Sequence, residues 1–350
     1  MIASHGYAAH DRISQLVPYR FERREPGPND VVVEIAYCGI CHSDIHQVRN
    51  EWNNAIYPMV PGHEIVGRVT AAGAEVTKFK LGDLAGVGVM VDSCRVCANC
   101  KAGEEAYCEK GFVGTYNAKG YDGVLVHGGY SNNIVCDARY VHTLSPKFGD
   151  RLAAAAPLLC AGITTYSPLR HWKVGPGKKA GVVGLGGLGH MGLKFAHALG
   201  AHVVQFTTSE GKIADAKKLG ADEVVISKDA DAMAKQAGSF DFILDCVSAP
   251  HDVNPYLNLL RLDGTMCQVG LPEAPPSISP FAIITNRRSF AGSMIGGMEE
   301  TQHMLDYCAD HGIVSEIELT SVDKLGEAYE RVVKSDVKYR FVIDMGTLKA

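Results

Sequence analysis

Ala180-Gly181-Val182-Val183 followed by Gly184-Leu185-Gly186-Gly187-Leu188-Gly189 decides how the chain is read. A short apolar strand breaks into six glycine-rich residues, and His190 to Leu199 continue as a helix. The hexamer alone is weak, because a tight turn uses the same residues. The strand before it and the helix after it are the setting a dinucleotide fold requires. The glycines permit the turn and a close approach of the backbone, and the helix N-terminus offers amide donors and positive dipole to a pyrophosphate. We therefore expect Gly184, Leu185, Gly186, Gly187, Leu188 and Gly189 to bind a dinucleotide.

The rhythm downstream agrees. Val203 to Phe206, Ile213 to Leu219, Glu223 to Ile226 and Phe240 to Val247 alternate strand and helix, as βαβ units on a parallel sheet do. A Pro-rich stretch, Leu271 to Pro280, interrupts this order. Beyond it come a helical segment near Glu300 to Cys308 and a final strand, Tyr339 to Ile343. Upstream the texture differs: short alternating runs such as Val31-Val32-Val33-Glu34-Ile35 and Ile65-Val66-Gly67-Arg68-Val69, bounded by Pro-Gly and Gly-Asp turns, read as a β-rich, barrel-like domain. Periodicity leaves open whether the tail extends the second domain or returns to the first.

The chain has 350 residues, 46% hydrophobic and 21% charged, enough apolar material for a core and enough length for two domains. Lys and Arg number 34 against 39 Asp and Glu, a net charge of -5. That balance gives no basic footprint for nucleic acid or anionic membranes. No run reaches the roughly 18 apolar residues of a membrane span, and the opening residues lack a signal-peptide pattern, so a soluble cytoplasmic protein is expected.

Eleven cysteines without an export signal are read as thiols and metal ligands. Cys38, Cys136, Cys246, Cys267 and Cys308 sit in or beside apolar runs and read as core. Cys94-x2-Cys97-x2-Cys100-x7-Cys108 brings four thiols together in a polar loop near residues 92–110, suited to a closed, structural zinc site. Two disulfides or four idle thiols are the competing readings. A second constellation, Cys38-Gly39-Ile40-Cys41-His42-Ser43-Asp44-Ile45-His46 with Gly62-His63-Glu64, joins thiol, imidazole, hydroxyl and carboxylate, which makes an open catalytic zinc site plausible. Taken alone, Cys38-x2-Cys41 also fits a redox pair, and His63 a hydrogen-bonded surface histidine.

Gly62-His63-Glu64-x2-Gly67-x5-Gly73-x2-Val76 resembles the signature of the zinc-containing alcohol dehydrogenases of the medium-chain dehydrogenase/reductase superfamily. Residues 157–166, Gly292 to Gly297 and Lys338 to Asp344 resemble the cinnamyl alcohol dehydrogenase branch, especially its bacterial broad-range aldehyde reductases. The likeness runs over essentially the whole chain. It implies an α/β architecture, a GroES-like catalytic domain at 1–151 and 290–350 around a Rossmann domain at 152–289. It implies Cys41, His63 and Cys160 as catalytic zinc ligands, Glu64 as an acid behind the metal, and Asp44 as the carboxylate that orients the zinc histidine. Ser43 and His46 fall on the proton relay. His42, Thr164, Ser293, Ile295 and Arg340 fall on cofactor positions, with two zinc ions and NADP(H) per chain. A cytoplasmic homodimer joined through the cofactor domain is also implied.

Cofactor choice has a reading of its own. A carboxylate at the end of the second strand marks NAD-binding domains. Here Val203 to Phe206 runs into Thr207-Thr208-Ser209, three hydroxyls that can donate to a 2'-phosphate, with Lys212 nearby to offset its charge. Glu210 is close enough to serve as a ribose acceptor, and Ile213 stands where the family has its basic residue. The expected activity is aldehyde reduction and primary alcohol oxidation with a small-molecule substrate. An NAD-dependent zinc polyol dehydrogenase and a non-catalytic zinc-binding protein are the alternatives.

Overall fold

A computed structural model describes residues 1–349. They pack into two compact units, residues 1–160 with 296–349, and residues 161–295.

The second unit is a six-stranded sheet in the order Glu223–Ile226, His202–Thr207, Lys179–Val183, Phe240–Asp245, Leu260–Gln268 and Ser289–Gly292. Every neighbouring pair is parallel. Strands covered on both faces are apolar throughout rather than alternating, which is why Val203, Val204 and Phe206, and likewise Phe242, Ile243 and Leu244, are all buried. Phe206, Phe240, Ile243 and Leu260 form the centre of this core. The alternation of strand and helix along the sequence does not announce the last two strands. Leu260–Gln268 carries Asp263 in a left-handed conformation (φ 62°) and Gly264 in its middle, and its register against Phe240–Asp245 jumps there. Turn residues in a bulged strand look like a loop.

In the first unit the eleven-residue strand Asp30–Ile40 is the spine. Ile65–Ala72 pairs along one edge. On the other, Asn133–Asp137 covers Asp30 to Glu34 and Arg340–Asp344 covers Tyr37 to Ile40. Ile317–Thr320, Leu84–Val87 and His142–Thr143 extend the sheet to seven strands. The tail therefore adds two strands to this sheet, the nearer one beside Tyr37 to Ile40.

The unit boundaries differ from 151 and 290. Leu152–Ala155 and Ala156–Leu159 pack on Asp30–Ile40 and Ile65–Ala72, so residues 152–160 belong to the first unit. Ser289–Gly292 pairs with Leu260–Gln268, so residues 290–295 belong to the second. Among the described residues, no single helix is long and apolar enough to cross a membrane.

Candidate functional site

Strand pairing explains how distant residues meet. Cys41 directly follows Asp30–Ile40 and caps the helix His42–Val48, while His63 and Glu64 directly precede Ile65–Ala72. Because Cys38 lies opposite Ile65, the two segments leave their strands side by side. Cys160 ends the helical turn Ala156–Leu159 that packs on both strands. One donor atom from each of Cys41, His63, Glu64 and Cys160 lies within 4.8 Å of the others, and all four residues are buried.

The geometry fits a metal. Sulfurs on a tetrahedral zinc with bonds of about 2.3 Å stand about 3.8 Å apart, and Cys41 Sγ and Cys160 Sγ are separated by 3.8 Å. His63 Nδ1 is engaged with Asp44 Oδ1 at 3.1 Å, which leaves Nε2 as the ligating nitrogen. Asp44 also accepts from Cys41 N at 2.9 Å, so the carboxylate ties the helix start to the histidine. Glu64 pairs through one oxygen with Arg340, and its second oxygen is buried without a partner among the described residues. Gly39 makes room for it: a Cβ there would fall 1.9 Å from Glu64 Oε2. Burial pushes the Glu64 carboxyl up to about 7, against the pull of Arg340. A hydrogen bond from Cys160 holds the Cys41 thiol well below its ordinary range, and the same contact drives the Cys160 thiol upward.

Cys94, Cys97, Cys100 and Cys108 form the second cluster, again within 4.8 Å. Cys94 Sγ and Cys100 Sγ are 3.9 Å apart. Cys97 N donates to Cys94 Sγ and Cys100 N to Cys97 Sγ, both at 3.4 Å, the pattern expected of thiolates at a helix start. Amide donors from Cys100 and Glu109 lower the Cys97 thiol to about 6. The lobe has little core of its own, since Val96 is exposed and Tyr107 partly so. With all four sulfurs engaged the site is closed. Of the five cysteines assigned to the core, Cys38, Cys136, Cys267 and Cys308 are buried, while Cys246 is only partly so.

The glycine loop joins Lys179–Val183 to the helix Gly189–Ala198. Gly184 sits at φ 87°, where only glycine is comfortable, and a Cβ on Gly189 would meet Gly184 O at 2.0 Å. Above Gly186 nothing lies within 4 Å of a built Cβ, so the loop's crown is open for a pyrophosphate. His202–Thr207 ends beside it. Thr207 is buried and its hydroxyl accepts from Ser209 N at 3.2 Å, whereas Thr208 and Ser209 are exposed. Lys212 Nζ donates to Leu185 O at 2.9 Å, which anchors its cation beside the loop.

The remaining expected residues are placed as follows. Ser43 is half-buried on the helix His42–Val48. His46 lies between the rings of His42 and Trp52, with centroids at 4.6 and 5.1 Å. Its Nδ1 is paired with Glu51, a partner the sequence reading missed. Thr164 is buried on the helix Ala161–His171. Ser293 N donates to Gln268 O at 3.3 Å, and Ile295 is held at φ 33°. Arg340, grouped on sequence with the cofactor residues, lies under the metal cluster on Glu64. No local spacing signals that pair, because it depends on which strand lies next to Asp30–Ile40.

Known proteins share this arrangement. The family model described as alcohol dehydrogenase GroES-like domain matches residues 27–146, and that described as zinc-binding dehydrogenase matches residues 187–310. Aldehyde reductase YahK of Escherichia coli is 60% identical over 344 residues, 97% of each chain. A cinnamyl alcohol dehydrogenase structure from Sorghum bicolor matches with a TM-score of 0.96 at 45% identity, covering 99% of both chains. The CAD of Helicobacter pylori, complexed with NADP(H), matches with a TM-score of 0.92 at 42% identity, again over 99% of both. Similarity of this extent, spread over both units and both cysteine clusters, places the chain in the zinc-containing alcohol dehydrogenases of the medium-chain dehydrogenase/reductase superfamily, close to the cinnamyl alcohol dehydrogenase branch.

Proposed function

We propose that the chain reduces aromatic and aliphatic aldehydes to primary alcohols with NADPH, and runs the reverse oxidation with NADP+. The observation that carries this reading is the buried Cys41, His63, Glu64 and Cys160 cluster with its 3.8 Å sulfur separation. When bound, zinc at this site polarises the carbonyl oxygen and the dinucleotide supplies the hydride. The protein's own residues do the rest. The Cys41 and Cys160 thiolates balance the charge of a dication, and Asp44 keeps His63 in the tautomer that presents Nε2. Ser43 holds the proton for the substrate oxygen. His46, steadied by Glu51, exchanges protons with solvent.

NADP is favoured over NAD because His202–Thr207 leads into hydroxyls instead of a carboxylate and Lys212 brings a cation to the loop. We also propose a homodimer formed through the cofactor unit. Ser289–Gly292 is an edge strand with an unpaired side, and Leu271, Phe281 and Ile284 nearby in sequence are exposed. Cofactor consumption across aromatic, furan and aliphatic aldehydes tests the function. Oxidation of sorbitol or threitol with NAD that outpaces aldehyde reduction would establish the polyol alternative, and no turnover with either would establish a binding protein.

A further inference from the structure

The Asp44 carboxylate is fully buried; the Tyr116 phenol faces it, and four groups donate to it at hydrogen-bond lengths up to 3.3 Å. Three come from its own neighbourhood: Cys41 N at 2.9 Å, Gly62 N at 3.3 Å and His63 Nδ1 at 3.1 Å. The fourth comes from the Tyr130 hydroxyl, 3.2 Å from Asp44 Oδ2. Tyr130 has no exposed surface. The Tyr329 hydroxyl, on the helix Leu325–Val333 of the tail, lies 3.4 Å from the Tyr130 oxygen. Because a carboxylate only accepts, Tyr130 spends its proton on Asp44 and takes Tyr329's in return. Burial and then the Asp44 charge raise both phenols well above their ordinary range, so each stays a neutral donor. The result is one directed chain, Tyr329 to Tyr130 to Asp44, meeting His63 at the same carboxylate.

The loop that delivers Tyr130 is built firmly. Arg23 donates to His127 O at 2.8 Å, Gly128 O at 3.1 Å and Ser131 Oγ at 2.9 Å. Tyr130 N donates to Pro61 O and Gly129 N to Gly62 O, both at 2.9 Å, so the loop is laced to the residues just before His63. Gly62, at φ 103°, leaves the space that the Tyr130 ring fills; a Cβ there would lie 2.6 Å from its Cδ1.

We propose that Tyr130, backed by Tyr329, is a positioning residue for the catalytic zinc: its hydroxyl fixes Asp44 in the orientation that presents His63 Nε2 to the metal. The inference rests on the reading that Cys41, His63 and Cys160 hold that zinc. It extends the support of the metal to a third layer, and it gives the tail helix a part in metal binding. Loss of an outer hydrogen-bond partner of a zinc ligand costs about 10–100-fold in metal affinity.

The test follows zinc release from the holoenzyme to a metallochromic chelator, for wild type, Tyr130→Phe, Tyr329→Phe and the double variant. The four-cysteine zinc is the internal reference, and Cys160→Ser identifies the phase belonging to the catalytic site. We expect Tyr130→Phe to release the catalytic zinc about tenfold faster with the reference phase unchanged. Tyr329→Phe should release it roughly threefold faster, and the double variant no faster than Tyr130→Phe, since both act through one chain. In the cobalt-substituted protein, Tyr130→Phe should shift the visible band. Wild-type release and an unshifted band in Tyr130→Phe would overturn the proposal, as would independent, additive effects of the two tyrosines. If Tyr130→Phe fails to fold, Tyr329→Phe decides, and wild-type release there overturns it. If Cys160→Ser leaves both zinc phases in place, the underlying site reading fails, a result distinct from failure of the tyrosine chain.

Discussion

Arg340 donates its guanidinium to Glu64 across 276 residues of sequence, and both side chains are buried beneath the Cys41, His63 and Cys160 cluster. Burial opposes a charge on Arg340, and the carboxylate and thiolates beside it overcome that cost and raise its pKa further. Removing one member of a buried ion pair leaves the other uncompensated, at a cost of about 3–5 kcal/mol. Arg340→Met should therefore destabilise the protein by about 3 kcal/mol, and combining it with Glu64→Gln should recover part of the loss. Denaturant unfolding of the four proteins measures both; simple additivity would show that the pair acts as two separate residues.

Metal analysis should find two zincs per chain with separable roles. Cys97→Ser should lower soluble yield and melting temperature, because the four-cysteine lobe has little else to fold around. Cys160→Ser should keep the fold and abolish turnover. Full metal content and wild-type stability in Cys97→Ser would contradict the structural assignment.

Ser43→Ala should bind dinucleotide nearly normally and lose about a hundredfold in turnover, the typical worth of a general acid or base. A rate equal to wild type would mean that Ser43 only packs at the start of its helix.

Cofactor preference turns on the strand end after Thr207. Thr208→Asp places an anion where the 2'-phosphate of NADP would lie, and should raise the Michaelis constant for NADP about tenfold, roughly 1.4 kcal/mol, while leaving that for NAD nearly unchanged. Equal catalytic efficiency with both cofactors in the unmutated enzyme would dispose of the preference.

Acid should destabilise the protein through His142. Burial, then the charge of Lys78, lowers its imidazole from 6.5 to about 3, and its Nδ1 has no partner among the described residues. Between those values the unfolded chain holds a proton that the folded chain refuses. Stability is therefore complete above pH 6.5 and falls as pH drops toward 3, by up to ~1.4 kcal/mol per pH unit for this residue. His142→Gln should flatten this dependence, so that the difference in unfolding free energy between variant and wild type shrinks on acidification. A difference that stays constant from pH 7 to pH 4.5 would show that His142 is not the group responsible.

Some of the molecule could be read along the chain because the physics is local. Four cysteines in Cys94-x2-Cys97-x2-Cys100-x7-Cys108 can close on one ion within a single loop. A strand, a glycine turn and a helix in sequence make the dinucleotide cradle whatever surrounds them. The bulged strand Leu260–Gln268 was hidden for the same reason in reverse, since its interior Asp263 and Gly264 carry turn chemistry that only sheet pairing overrides.

By itself the sequence determined the four-cysteine loop, the strand, glycine turn and helix and, through the likeness of whole motifs, the family, and it pointed to the residues that the fold gathers around Cys41. Residue spacing alone could not assemble the catalytic cluster. Cys41 and His63 meet because Cys38 pairs with Ile65, and Cys160 reaches them because the turn before it packs on those strands. Arg340 arrives on Glu64 through the pairing of Phe341 with Ile40, and Tyr130 and Tyr329 reach Asp44 from a loop and a tail helix. Contacts of this kind are set by strand register and by the requirement that a buried charge find partners, and both exist only once the chain has folded.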